Sequence, residues 1–229
     1  MEFLPNGLTL EIPANVFPLS TDSMVLCHFV RLPKNARVLD LGSGCGTLGL
    51  LLCSRNEACT ITGLEIYETA HQAALGNIRR NHLAPRMESI CTDLRSVSER
   101  FSPGSFSVCV SNPPYFSGGP ASRTVPTARR EDFCDLRELM GAAFHALKFG
   151  GDFFLVHRPE RLAELISAGA ECSLELKRLG LVRHRQDGPV SLILLQFRKG
   201  AKPGLLWEEL ILRNSDGSPT PAYREIYHL

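Results

Sequence analysis

Net charge is almost absent. The 25 lysines and arginines of the 229-residue chain face 24 aspartates and glutamates, a formal balance of +1, which excludes a polybasic binder of the histone kind and leaves only local basic patches. Cys-x-x-Cys pairs are missing too. The eight cysteines, Cys27, Cys45, Cys53, Cys59, Cys91, Cys109, Cys134 and Cys172, have no zinc-ligand spacing and are expected to be reduced. Cys109, in Val108-Cys109-Val110, reads as a small hydrophobe. No run of about 18 apolar residues occurs, and Met1-Glu2-Phe3-Leu4-Pro5 lacks a basic stretch followed by an apolar one. The expectation is a cytoplasmic protein with neither membrane nor metal as partner. No internal repeat, low-complexity segment or linker is visible.

What is present is the composition of an ordinary globular protein, 44% hydrophobic and 21% charged, on a chain long enough to bury one sizeable core. We therefore expect one domain, 1–229, with an N-terminal lead-in (1–33), a core (34–204) and a C-terminal tail (205–229). Short apolar runs rich in β-branched residues alternate with helical patterns, as in βαβ units around a parallel sheet. Strands are expected at Arg37 to Leu41, Thr60 to Glu65, Met87 to Thr92 and Ser107 to Ser111. Helices are expected at Thr47 to Arg55 and at Glu68 to Asn81. A helix over Asp135 to Leu147 precedes a strand from Asp152 to Val156, with Gly150-Gly151 as the stop between them. Two longer strands, Leu174 to His184 and Val190 to Arg198, flank Gln186-Asp187-Gly188-Pro189, a hairpin turn signal.

The sharpest local signal is Val38-Leu39-Asp40-Leu41-Gly42-Ser43-Gly44-Cys45-Gly46, a buried strand running into a glycine-rich turn and then a helix. Glycines permit the turn and let a ligand approach the backbone, and the amides of the next helix favour an electronegative group. The dinucleotide fingerprint G-x-G-x-x-G is not met, because Thr47 stands at the third spaced position. The spacing, with Asp40 before it, resembles the S-adenosylmethionine loop of class I methyltransferases, although a plain strand-to-helix turn would use the same glycines. Glu65, at the end of the second strand, could take both ribose hydroxyls in a bidentate hydrogen bond. Asp93, at the end of the third, could meet the adenine amino group. Either acid alone also reads as a strand end or helix cap. Together with Asp40 they mark three successive carboxyl ends, where ligands of open α/β sheets bind.

At the fourth strand end stands Ser111-Asn112-Pro113-Pro114-Tyr115. An exocyclic amine conjugated to a ring is a poor nucleophile, and a site accepting hydrogen bonds from both its protons draws the nitrogen towards tetrahedral geometry and offsets the charge that develops on methyl transfer. Asn112 Oδ1 and the Pro113 carbonyl are candidate acceptors, the two prolines fix the backbone, and Tyr115 offers a face for a flipped base. The tetrad resembles the Asn-Pro-Pro-Tyr signature of amino-methyltransferases that act on adenine, cytosine or glutamine.

With Phe116 and Gly118-Gly119 after the tetrad, Ser20 to Phe29 before the core, and Leu212 to Gly217 and Tyr223 to Tyr227 in the tail, nearly the whole chain resembles the bacterial tRNA1(Val) adenine N6-methyltransferases. The resemblance implies a Rossmann-like class I methyltransferase fold: a mostly parallel seven-stranded sheet with a C-terminal antiparallel hairpin and helices on both faces. It implies S-adenosylmethionine as cofactor, tRNA as partner, and the adenine 3′ of the anticodon as target. The cofactor set is then Thr21, Asp40, Gly42, Ser43, Gly44, Gly46, Glu65, Ile66, Asp93, Leu94 and Asn112. The catalytic set is Asn112, Pro113 and Tyr115; Pro114, Phe116, Arg123, Arg129 and Arg130 fall on the substrate side.

Read from the residues alone, Ser20-Thr21-Asp22 is equally a helix N-cap signal. Arg178, Arg183, His184 and Arg185 are further candidates for phosphate contact; His157 and His184 read as packing or surface residues, and Trp207 as a packing anchor for the tail. A release-factor glutamine methyltransferase shares the tetrad but carries an N-terminal helical domain. A DNA adenine methyltransferase would need a target-recognition domain. A methyltransferase fold reduced to RNA binding would not need Asp40, Glu65, Asp93 and Asn112.

Overall fold

A computed structural model describes residues 1–4, 7–14, 16, 18–113 and 135–227. The chain opens with β1 (Glu2–Phe3) and β2 (Thr9–Leu10), an antiparallel pair, followed by α1 (Thr21–Phe29). Then come β3 (Arg37–Leu41), α2 (Thr47–Arg55), β4 (Thr60–Glu65), α3 (Glu68–Arg80), β5 (Met87–Cys91), the short α4 (Val97–Arg100) and β6 (Phe106–Ser111). After the undescribed stretch follow α5 (Leu136–Ala146), β7 (Leu147–His157), α6 (Leu162–Glu171), β8 (Leu174–Arg183), β9 (Val190–Lys199), β10 (Leu206–Ile211) and α7 (Pro221–Tyr227).

Eight strands form one sheet in the order β10-β8-β9-β7-β6-β3-β4-β5. The run from β7 to β5 is parallel, and β9 lies antiparallel between β7 and β8. The sequence reason is the apolar run on each central strand. Along β7, Phe154 and Val156 join Val38, Leu50 and Val25 in one apolar cluster, while Phe153 and Leu155 join Leu39, Cys109 and Ala143 in the other. A strand buried on both faces needs apolar residues at every position, the signature of parallel sheets covered by helices. The strand order changes direction at β3 and β6, the place in open α/β sheets where ligands bind across the carboxyl ends.

The mostly parallel sheet with its C-terminal hairpin matches the expected class, with one strand more than the seven expected. The tail supplies β10, which pairs in parallel with β8. Ion pairs help to hold it there, with Arg178 on Glu208 at 2.6 Å and Arg183 on Glu209 at 3.5 Å. Hydrophobic periodicity cannot register such pairing. Trp207, expected as an anchor, lies on this edge strand 67% exposed. Gly150-Gly151 does not stop a helix before a strand either. α5 ends at Ala146, and β7 runs through both glycines. Gly150 has a φ of 75°, and the register slips from Phe106↔Leu147 to Val108↔Asp152. The pair therefore makes a bulge, where extra residues fit because glycine adopts the left-handed region freely. Among the described residues, no helix is long and apolar enough to cross a membrane, and no group of three or more His, Cys, Asp or Glu could hold a metal ion. Seven described cysteines carry free thiols.

Candidate active site

The glycine loop leaves β3 and is pinned at once to the neighbouring strand. Gly42 N and Ser43 N both donate to the Leu64 carbonyl, at 3.0 and 2.9 Å, and Gly46 N donates back to Ser43 O at 2.9 Å. Gly42, Gly44 and Gly46 have φ of 76°, 56° and 85°, a conformation that side chains penalise. Open space extends 4 Å around the position a Cβ would take at Gly42 and at Gly44. The loop is thus a cradle whose backbone is open to a ligand, and it leads into the N-terminus of α2, which favours electronegative groups. Gly63 on β4 completes the arrangement, because a Cβ there would stand 2.7 Å from Ser43 Oγ.

Asp40 lies beneath this loop. Its side chain is fully buried, and neither carboxylate oxygen finds a hydrogen-bond partner among the described residues; Ser43 Oγ is likewise unsatisfied. Burial, with a contribution from the charge of Glu65, pushes the Asp40 carboxyl from 3.8 up to about 8. Buried polar atoms without partners cost free energy unless something pairs with them, so this carboxyl suits a ligand bringing a cation or a donor. Glu65 is buried differently. Its Oε2 accepts from Gly44 N and its Oε1 from Tyr67 N, both at 2.8 Å. Burial raises its pKa while those amides oppose the rise. Each oxygen keeps further acceptor capacity, so Glu65 fits a pair of hydroxyls while also tying the loop to β4. Ile66 beside it is 37% exposed, an apolar surface suited to a planar ring.

Asp93 realises the capping alternative. It caps the short 3-10 turn Leu94–Ser96, its Oδ1 accepting from Arg95 N and its Oδ2 from Arg95 Nε, both at 2.9 Å. Burial works against its charge, but Arg95 outweighs it and holds the carboxyl below the usual range. Leu94 packs against the second apolar cluster.

Asn112 follows the end of β6, and Asp40 and Val110 are register partners on β3 and β6, so the glycine loop and Asn112 leave adjacent strands at the same end. Ser111 Oγ donates to Leu41 O at 2.8 Å, bracing the two strand ends against each other. Asn112 Nδ2 donates to Ser23 Oγ at 2.9 Å, across 89 residues of sequence. Pro113 is half-buried. Thr21 Oγ1 accepts from the Tyr227 hydroxyl at 3.2 Å, which ties the start of α1 to α7. Ser20 holds the N-cap position of α1 without a side-chain capping bond. Pro114, Tyr115, Phe116, Arg123, Arg129 and Arg130 lie outside the described residues.

Of the other basic candidates, Arg178 is not a surface group. It is 8% exposed, lies 4.1 Å over the Phe29 ring and donates to Phe29 O, Gln196 Oε1 and Glu208. Arg183 donates to Gly188 O and Glu209, and Arg185 to Asp187, while His184 is exposed. His157 is a packing residue as expected, its Nδ1 accepting from Arg158 N. Burial, helped by Arg161, lowers its pKa to about 4, so the ring is neutral.

Two supporting asparagines escaped the sequence reading. Asn77, fully buried on α3, exchanges hydrogen bonds with Glu11, accepting from its N at 2.8 Å and donating to its O at 3.0 Å, and also donates to Cys45 O in the glycine loop at 3.0 Å. One turn on, Asn81 does the same with Thr9, at 2.9 and 2.7 Å. Two side-chain amides at i and i+4 thus hold residues i and i+2 of the N-terminal strap as a neighbouring strand would. The helical spacing was visible; the partner was not.

Comparison with known proteins gives a consistent picture. The family model described as methyltransferase small domain matches residues 19–166. A relative from Edwardsiella ictaluri, named tRNA1(Val) (adenine(37)-N6)-methyltransferase, is 32% identical over 213 residues, covering 84% of each chain. Among solved structures, a predicted O-methyltransferase from Agrobacterium tumefaciens has the same fold, with a TM-score of 0.76 at 21% identity over 91% of this chain and 96% of that one. Geranyl diphosphate C-methyltransferase from Streptomyces coelicolor, solved with S-adenosyl-L-homocysteine, aligns with a TM-score of 0.58 at 12% identity over 77% and 79% of the two chains.

Proposed function

Because the chain belongs to the methyltransferase small domain family and groups there with the tRNA1(Val) (adenine(37)-N6)-methyltransferases, we propose that it methylates the exocyclic N6 of an adenine in tRNA. It is an S-adenosylmethionine-dependent N-methyltransferase. The observation that carries the substrate chemistry is the placement of Asn112. It leaves β6 beside the glycine loop of β3, with its amide anchored at the nitrogen end.

The buried groups fit the cofactor. Glu65 would take the ribose hydroxyls, the backbone of Gly42, Ser43, Gly44 and Gly46 would cradle the methionine part, and Asp40 would offset its ammonium charge. Ile66, Leu94 and Asp93 would border the adenine, with Asp93 sharing its carboxylate with Arg95. Bound, the cofactor supplies an electrophilic methyl group on a sulfonium. The chain's own contribution is acceptor geometry. Asn112 Oδ1 and the Pro113 carbonyl accept the two amino protons, so the nitrogen lone pair is no longer spread over the ring and the positive charge developing on that nitrogen meets two dipoles set in advance. The methylated nitrogen is cationic and strongly acidic, so its surplus proton passes to water and no side chain of shifted pKa is needed as base. Tyr115 would stack on the extruded base, a contribution of roughly 1 to 3 kcal/mol.

The test is transfer of labelled methyl from cofactor to total tRNA, followed by nucleoside mass spectrometry. N6-methyladenosine bearing the label is expected. Label in a glutamine-containing release factor, and none in tRNA, would overturn the substrate and leave only the chemistry of Asn112 and Pro113.

A further inference from the structure

We propose that Ser23 is a positioning residue for Asn112, its hydroxyl fixing the asparagine amide so that the carbonyl end serves the amine to be methylated. The proposal rests on Asn112 as an acceptor for that amine. An asparagine amide rotates broadly about its last torsion, with two nearly isosteric ends. In one orientation it offers an acceptor to an NH₂ substrate, and in the other a donor, which the substrate cannot use. Something must therefore hold the plane. In this chain one contact that can do so is Asn112 Nδ2 donating to Ser23 Oγ at 2.9 Å.

The anchor is rigid for reasons independent of the bond itself. Ser23 is only 6% exposed, in the first turn of α1. Its neighbours Met24, Val25 and Leu26 belong to the apolar cluster that also holds Phe154 and Val156 of β7. Two residues before it, Thr21 is tied to Tyr227 of α7. The amide is thus gripped from outside the sheet by a helix that core packing and the tail both restrain, a supporting contact of the kind a reactive geometry needs. An alanine or glycine at position 23 would fit the same helix and take away this acceptor.

Ser23→Val and Ser23→Thr have nearly the same shape, and only threonine keeps the hydroxyl. With tRNA as substrate and saturating cofactor, valine should lower kcat roughly tenfold to a hundredfold, the scale of a small misplacement. KM and cofactor Kd should stay within about twofold, and threonine should recover most of the loss. Solvent exchange of the Asn112 side-chain amide, assigned by its disappearance in Asn112→Asp, should quicken with valine and not with threonine. Ser23→Ala provides the same contrast without added bulk should valine disturb folding. Equal effects of valine and threonine, or wild-type kcat and amide protection with valine or alanine, overturn the proposal. Asn112→Ala, measured in parallel, separates the two levels. Full turnover in that variant defeats the reading of Asn112 itself, whereas an inactive Asn112→Ala beside a fully active Ser23→Val defeats only the role of Ser23. If tRNA takes no methyl group, amide exchange still decides whether Ser23 holds Asn112.

Discussion

The carboxyl groups of Asp40 and Glu65 stand at the same end of neighbouring strands, and the charge of Glu65 adds to burial in pushing Asp40 up to about 8. Two buried acids side by side oppose each other's ionisation unless a cation comes between them and water. With no cation beside it, such a pair works against the stability of the fold.

Its pH signature follows from the sign of the shift. The folded-state pKa of Asp40 lies above its ordinary 3.8, so the folded chain holds a proton that the unfolded chain has lost. The result is a stability penalty that is absent below about pH 4, grows as pH rises, and is complete above about 8. Asp40→Asn should therefore resist urea better than the parent at about pH 8, with the advantage fading in acid. Binding of the cofactor's ammonium favours the ionised carboxylate, so titration calorimetry at about pH 7 in buffers of different ionisation heat should register proton release for the parent and not for Asp40→Asn. Equal proton release in both would remove Asp40 from the site.

Glu65→Ala should weaken cofactor binding at least tenfold. Hydrogen bonds to a charged group contribute about 1.5 to 3 kcal/mol, and this carboxylate additionally receives Gly44 N, so the loop loses its tether as well. Glu65→Gln should fall between the two, since an amide keeps one acceptor oxygen. A dissociation constant unchanged by the alanine substitution would contradict the assignment.

Removing Asn77 strips Glu11 and Cys45 of a buried partner in one step. Leaving such groups unsatisfied costs about 1 to 3 kcal/mol each, so Asn77→Ala should lower stability by about 2 to 4 kcal/mol in urea unfolding, since the strap relaxes in part. The loop end of the network makes a second, sharper claim: the folded variant should also bind cofactor more weakly. Asn81→Ala, which frees Thr9 but does not touch the loop, should lose stability without that loss of affinity.

Whatever depended on local pattern could be read from the chain. The strand β3, the loop from Gly42 to Gly46, the helix α2 and Glu65 all announce themselves because burial, turn chemistry and helix start are encoded within a few residues. Contacts between distant segments do not. Ser23 and Asn112 are 89 residues apart, and no periodicity joins them; β10 pairs along β8 at the sheet edge with ion pairs beside it, and Arg178 spends its charge on a ring and an ion pair that sequence cannot display. For arginine the lesson is general, because the same side chain reads identically whether it faces phosphate or is buried beneath a strand.

That distinction makes the last prediction. Arg123, Arg129 and Arg130 follow Asn112 to Tyr115 in sequence, and if they meet the phosphates that flank a splayed anticodon loop they act as additive, screened charges. Replacing all three with alanine should weaken tRNA binding and reduce its salt dependence by about 0.7 log units per lost single-strand phosphate contact. Cofactor affinity and thermal stability should barely move. Arg178→Ala should do the reverse. It takes the guanidinium from Gln196 Oε1, from Glu208 and from the Phe29 ring, so unfolding should come earlier while the salt dependence of RNA binding stays as it was. Filter binding across a salt series, run beside thermal melts of both variants, separates the two kinds of arginine. A triple variant whose salt slope matches the parent would move the RNA surface elsewhere on the protein.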